Sequence, residues 1–185
     1  TTPIQETFEA VADLIQQGKV RYAGVCNYNA AQMKEAEEYV DIISNQIPYS
    51  MVNRGIEEET IPYCIANEKA ILAYSPLERG LLSGKMTAGQ KFAEGDHRAV
   101  LKYFTDDSIL KTNAFLAKIK PIADEKNTTL AQLVLLWTYN RPGITIALAG
   151  ARNADQAIQN AHSMDFRLSS NESLFIDQAL NELEL

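Results

Sequence analysis

Cysteine is scarce in this chain, basic charge is in deficit, and no apolar run is long enough to span a bilayer. The two cysteines, Cys26 and Cys64, form no disulfide framework. They point instead to a reducing, cytoplasmic setting, with both thiols inert and buried. The 17 basic side chains are outnumbered by 24 acidic ones, for a net charge of -7. Such a charge repels nucleic acid and anionic membrane, so neither is an expected partner. An anionic ligand would have to rely on local donors. No signal peptide is visible. The first residue is Thr1 rather than Met, which suggests a processed chain or a fragment. Tight-hairpin signals are missing too, which disfavours an antiparallel sheet. Carboxylates, histidines and metal-ligand clusters are absent from the expected strand ends, so no metal is anticipated.

What is present is an ordinary globular composition. Of 185 residues, 46% are apolar and 22% charged, enough for a real core. Thr2, Pro3 and Gln5 read as a helix start with a capping box. Ile4, Phe8, Val11, Ala12 and Ile15 share one helical face, and Gly18 ends it. Val20 to Val25 reads as a strand. Asn29, with Gln32 at the reciprocal position, caps a helix to about Tyr39. Asp41 to Ile47 is a second strand. Residues 57 to 67 are helical, with Ile61 and Ile65 inward, and Ala70 to Tyr74 is a third strand. The Gly-rich, charged segment from Ser75 to Thr105 is long enough to suggest a function. Asp106 to Lys126 is helical, with a kink expected near Pro121. Thr129 opens a helix to Tyr139, with Gln132 in register. Ile144 to Ala149 is the fourth strand. Asn153 caps a helix with Gln156, and Ser170 opens the last one.

Four short strands, apolar on both faces, thus alternate with helices. This is an α/β pattern of parallel strands covered by helices. The strands form either a small open sheet or half of an eight-stranded barrel. Length favours the half, because a whole barrel usually needs about 250 residues.

Binding residues of parallel α/β folds gather at the C-terminal ends of strands. There the chain places Asn27 and Tyr28, Gln46 and Tyr49, Tyr74 and Ser75, and Gly150 to Asn153. Asn27 and Gln46 each donate and accept, which suits a carboxamide. Tyr74 offers a ring for stacking. Gly150 before a helix start offers backbone N–H groups to a phosphate, and Arg152 adds a guanidinium fork. Each has a plainer reading: Asn27 and Asn153 serve equally well as helix caps, and Tyr74 as a core residue. His97 and His162 are read as surface residues, since neither has the neighbours of a triad.

Several runs together resemble the aldo-keto reductases. They are Thr2-Pro3-Ile4-Gln5-Glu6-Thr7, Gly18 to Tyr28, Gln46-Ile47-Pro48-Tyr49-Ser50, Leu72 to Lys85 and Gly150 to Asn160. They cover nearly the whole chain, in order and with fitting spacing. The resemblance implies the C-terminal half of a (β/α)8 barrel and NADP-dependent reduction of a small carbonyl substrate, or the reverse oxidation. It places Asn27 and Gln46 on the nicotinamide carboxamide and Tyr74 against the ring. Ser75, Leu77, Gly80 and Lys85 would hold the pyrophosphate. Gly150, Arg152, Gln156 and Asn160 would surround the adenosine end, and Tyr49 would border the substrate pocket. The chain departs from the family at Cys26, where a serine is usual, and at Gln159, where glutamate is common. The family's acid tyrosine, lysine, aspartate and histidine would all precede Thr1, so no catalytic residue is expected here. A cofactor-binding regulatory relative of the potassium-channel β-subunits is the alternative, and a stand-alone structural half-barrel a third. Open barrel edges would favour self-association.

Overall fold

The computed structural model describes residues 2–185. Its frame is a single four-stranded parallel sheet in the order β1 (Ala23–Cys26), β2 (Ile42–Pro48), β3 (Ala70–Tyr74) and β4 (Ile146–Leu148). Seven α-helices lie among the described residues: α1 (Ile4–Gln16), α2 (Ala30–Ala36), α3 (Thr60–Ala66), α4 (Asp106–Glu125), α5 (Leu130–Tyr139), α6 (Ala154–Ala161) and α7 (Ser170–Asn181).

Local chemistry sets most of these boundaries. Asn29 and Thr129 each accept from the amide three residues on, while Gln32 and Gln132 reach back to the cap residue's N–H. Ser169 and Glu172 do the same for α7. Each such cap is worth about 1 kcal/mol. The box expected at Thr2 does not form. Pro3 is the N-cap, with no side-chain bond, and Gln5 pairs with Glu9 instead. In α3 the buried residues are Thr60, Ile61 and Cys64, while Ile65 is 55% exposed. The helix has only seven residues, and these three fill its buried face. Of the two thiols, Cys64 is buried as expected and Cys26 is exposed.

The sheet is covered on one face only. Ile42, Asn45, Ile47, Ile71 and Ala73 are buried, the two-residue alternation broken only by a register shift opposite Ala23/Gly24. They belong to a core that also holds Phe8 of α1, Met33 of α2, Leu133 and Trp137 of α5, and Ile176 of α7. The other face carries Gly24, Cys26, Ser44, Gln46, Leu72, Tyr74, Ile146 and Leu148, all half-buried or exposed. Parallel sheets normally bury both faces. Here the second face and the edges at β1 and β4 lie open. Packing on that face is already close: a Cβ at Gly24 would sit 2.4 Å from Ser44 Oγ and 3.2 Å from Ser44 O, so a larger residue would have to turn the Ser44 side chain aside.

The segment after β3 is not structureless. It holds three short 3₁₀ stretches, Glu78–Ser83, His97–Val100 and Lys102–Phe104. Leu81, Met86, Phe104 and Ile109 form a second small core beneath it.

Candidate active site

The C-terminal ends of the four strands supply the site, in two parts. The first lies over the ends of β1, β2 and β3. Asn27 follows β1 in a left-handed conformation (φ 60°), a region asparagine tolerates better than most residues. Its N–H donates to Gln46 O at 2.9 Å. The Tyr74 hydroxyl donates to Asn27 Oδ1 at 3.1 Å, leaving Asn27 Nδ2 free to donate. Gln46 faces the open side between Cys26 and Leu72 of the neighbouring strands. The structure thus brings Asn27, Gln46 and Tyr74 together.

The second part is a cavity of about 810 Å³ beyond the ends of β3 and β4. Ser75, Leu77 and Gly80 line one side, Gly150 and Arg152 another. The backbone here is unusual: Ser75, Glu78 and Arg79 all have positive φ, as does Gly80. Held non-glycine residues of this kind gather at ligand-binding loops. An added Cβ at Gly80 or Gly150 would meet nothing within 4 Å, so backbone lies open to an occupant at both places. Asn153 caps α6 through Gln156 N, and Gln156 Oε1 accepts from Arg152 N at 2.7 Å. Asn160 Nδ2 donates to Gly150 O at 3.2 Å. Gln156 and Asn160 therefore shape the 150–152 backbone from behind. Lys85 is exposed and lies outside the lining residues of this cavity.

Tyr49 does not join either part. It is fully buried, its ring stacked on Trp137 with centroids 6.1 Å apart. Its hydroxyl donates to Glu57 Oε1 at 2.5 Å. The residue after β2 turns toward the helices, so its phenol is not presented to the open face where a substrate pocket was expected.

Sequence reading missed the cavity's third wall, Gly95 to Arg98, and Arg79. Gly95, at φ 82°, is the third residue of a tight turn closed by Asp96 N–H to Ala93 O, and Asp96 accepts both the backbone N–H and the guanidinium of Arg98. Hydrogen bonds from Arg98 hold the Asp96 carboxyl down at about 2. The charged run was visible, but its fold back across the strand ends was not. His97, read as a surface residue, is exposed and lines the same wall. His162 is exposed and pairs with Asp165 at the C-terminal end of α6. No three His, Cys, Asp or Glu side chains group to hold a metal among the described residues. None of their helices is long and apolar enough to cross a membrane.

Comparison with known proteins identifies the family and the fold. The sequence model of the aldo/keto reductase family matches residues 1–181. An NADH-specific methylglyoxal reductase of Escherichia coli is 30% identical over 183 residues, which is 99% of this chain and 56% of that protein. The aldo-keto reductase str7 of Strobilurus tenacellus is 29% identical over 187 residues, covering 100% of this chain and 56% of its own length. Among solved structures, a glycerol dehydrogenase from Gluconobacter oxydans superposes with a TM-score of 0.91 at 28% identity, over 98% of this chain and 55% of that one. The chain spans about half the length of the curated relatives it matches.

Proposed function

Because the chain belongs to the aldo/keto reductase family, whose members are oxidoreductases using nicotinamide cofactors, we propose that it carries the cofactor site of an NADP-dependent carbonyl reductase. A bound nicotinamide would supply the hydride and the protein its position. Asn27 and Gln46 orient the carboxamide, and Tyr74 packs on the ring. Ser75, Leu77 and Gly80 cradle the pyrophosphate with backbone groups, and Lys85 adds charge from outside the cavity. Arg152 pairs with the 2′-phosphate at the start of α6, on backbone held by Gln156 and Asn160. Tyr49 is left out of the substrate pocket, since its hydroxyl is taken by Glu57.

We further infer that residues 1–185 form one domain, the C-terminal half of an eight-stranded barrel. The open sheet face and two free edges support this reading. The proton donor then lies outside the stretch described, and this stretch alone reduces no aldehyde. On its own it self-associates through its unpaired edges. The substrate is a small carbonyl compound. The free thiols Cys26 and Cys64 favour a cytoplasmic home. The relatives described here are reductases or dehydrogenases, and no observation favours the channel-subunit alternative.

Arg152 carries the choice of NADP over NAD, since it is the basic side chain at the helix-start wall of the cavity. The name of the E. coli relative, NADH-specific, makes the choice worth testing. Binding titrations should show tighter binding of NADPH than NADH. Arg152→Ala should narrow the gap by about 1.5–3 kcal/mol, the value of a charge-assisted bond. Equal affinities in the parent protein would overturn the phosphate assignment.

A further inference from the structure

Strand β2 places two successive amides on opposite faces of the sheet. Gln46 looks out over the open face. Asn45 looks the other way, into the core, and is fully buried. Its Nδ2 donates to Tyr28 O at 2.7 Å and touches Met33 Sδ at 3.4 Å. Its Oδ1 has no partner at all. An orphaned acceptor in the interior is a cost that leucine or valine would avoid. Packing alone therefore gives no reason for an amide here.

The reason lies one turn away. Residues 27–29 are clamped at three consecutive points. The Asn27 N–H is held by Gln46 O, the Tyr28 carbonyl by Asn45 Nδ2, and Asn29 by its capping box with Gln32. Asn27 sits in the left-handed region, a conformation that persists only where the surroundings hold it. Without the middle clamp, the Tyr28–Asn29 peptide is held only through the Asn29 N–H by Gln32, an exposed side chain, so its tilt is less fixed and Asn27 is freer to leave that region. Its side chain would then no longer meet the Tyr74 hydroxyl, and its free Nδ2 would no longer point along a fixed line.

We propose that Asn45 is a positioning residue: from the covered side of the sheet it fixes the turn that aims Asn27 Nδ2 at the carboxamide oxygen of a nicotinamide cofactor. This rests on the carboxamide reading of Asn27 above. It makes β2 a two-sided reader, with Gln46 contacting the cofactor and Asn45 acting only through its neighbour.

The test uses cofactor analogues in the protein as encoded by its gene. Thionicotinamide analogues of NADP⁺ and NAD⁺ replace the carboxamide oxygen by sulfur, a weak acceptor, and leave the NH₂ intact. Fluorescence titrations would compare each cofactor with its analogue in four proteins: parent, Asn27→Ala, Asn45→Leu and the double variant. The parent should prefer the oxygen form. Asn27→Ala should erase that preference. Asn45→Leu should cost the natural cofactor about five- to tenfold in affinity and the analogue less than about twofold, with no further loss in the double variant. A structural defect would weaken both ligands alike. Where Asn45→Leu fails to melt cooperatively, Asn45→Val takes its place with the same criteria. If Asn27→Ala erases the preference while the Asn45 variant retains it, or weakens both forms equally, the positioning role is refuted and the carboxamide reading stands. If Asn27→Ala retains the preference, the carboxamide reading falls and this proposal with it.

Discussion

Replacing Tyr49 by phenylalanine deletes a single oxygen from a partly buried network whose geometry fixes the expected cost. The Tyr49 hydroxyl donates to Glu57 Oε1 at 2.5 Å. Arg54 grips the same carboxylate with two bonds, at 3.0 and 2.8 Å. Arg141 lies 3.8 Å from Glu57 and bonds Asp177 at 2.8 Å, while Trp137 Nε1 donates to Asp177 at 2.9 Å. A hydrogen bond to a charged acceptor contributes about 1.5–3 kcal/mol. Tyr49→Phe keeps the ring on Trp137, and Arg54 still pairs Glu57, so no charge is orphaned. The loss should fall near the low end, about 1.5–2 kcal/mol. With a urea slope of about 1–3 kcal/mol per molar, the unfolding midpoint drops by about 1 M. Trp137 is the only tryptophan in the chain, so its emission reports the unfolding of this region. A loss below about 0.5 kcal/mol would refute the reasoning, since it would place the bond among ordinary surface changes. The acid arm gives a second check. Burial works against ionising Glu57, but the bonds from Arg54 and Tyr49 outweigh it and hold the carboxyl below its usual range. A depressed carboxyl adds stability that is present above the usual range and lost as pH falls through the folded value. Removing one of the bonds should move that loss to higher pH in the variant.

Two further outcomes are expected. Tyr74→Ala should weaken NADPH binding by about 1–2 kcal/mol, from a lost ring contact and lost burial, and unchanged affinity in a titration would remove Tyr74 from the site. Glu78 is buried with one side-chain partner, Ser50 Oγ at 3.0 Å, and burial pushes its carboxyl above the usual range despite that bond and the nearby Arg79. Its contribution is then present at low pH and lost as pH rises through the folded value, so Glu78→Gln should melt higher than the parent at pH 8 and lose that advantage at pH 4; parallel pH–melting curves would refute this.

Local signals were easy to read along the chain, and long-range ones were not. Asn29 with Gln32, and Thr129 with Gln132, announce their helices because the partners of a cap lie three residues apart. Strand β3 matches its apolar run from Ala70 to Tyr74. The first strand was expected from Val20 but starts at Ala23 and runs on to Cys26, because an edge strand pairs only where its single neighbour reaches. Val20 and Tyr22 are exposed in consequence. The direction of Tyr49 was beyond the sequence, since it depends on Glu57, Arg54 and a helix far along the chain. So was the wall from Gly95 to Arg98, whose place follows from how a long segment folds back. Asn45 had no motif of its own, and only its buried bond to Tyr28 sets it apart.

The spacing of the strands also orders their assembly in time. Strands β1, β2 and β3 close short loops, each through one small helix. The last pairing must bridge residues 74 apart, as between Ile71 and Thr145, and must carry α4 and α5 with it. That loop is about three times longer than the one before, which adds about 1 kcal/mol of closure entropy, and β4 repays it with only three residues. A chain emerging from the ribosome can therefore bring Asn27, Gln46 and Tyr74 together before the cavity wall at Gly150 is paired into the sheet. On the assignment proposed above, the nicotinamide end of the site would then take shape before the adenosine end.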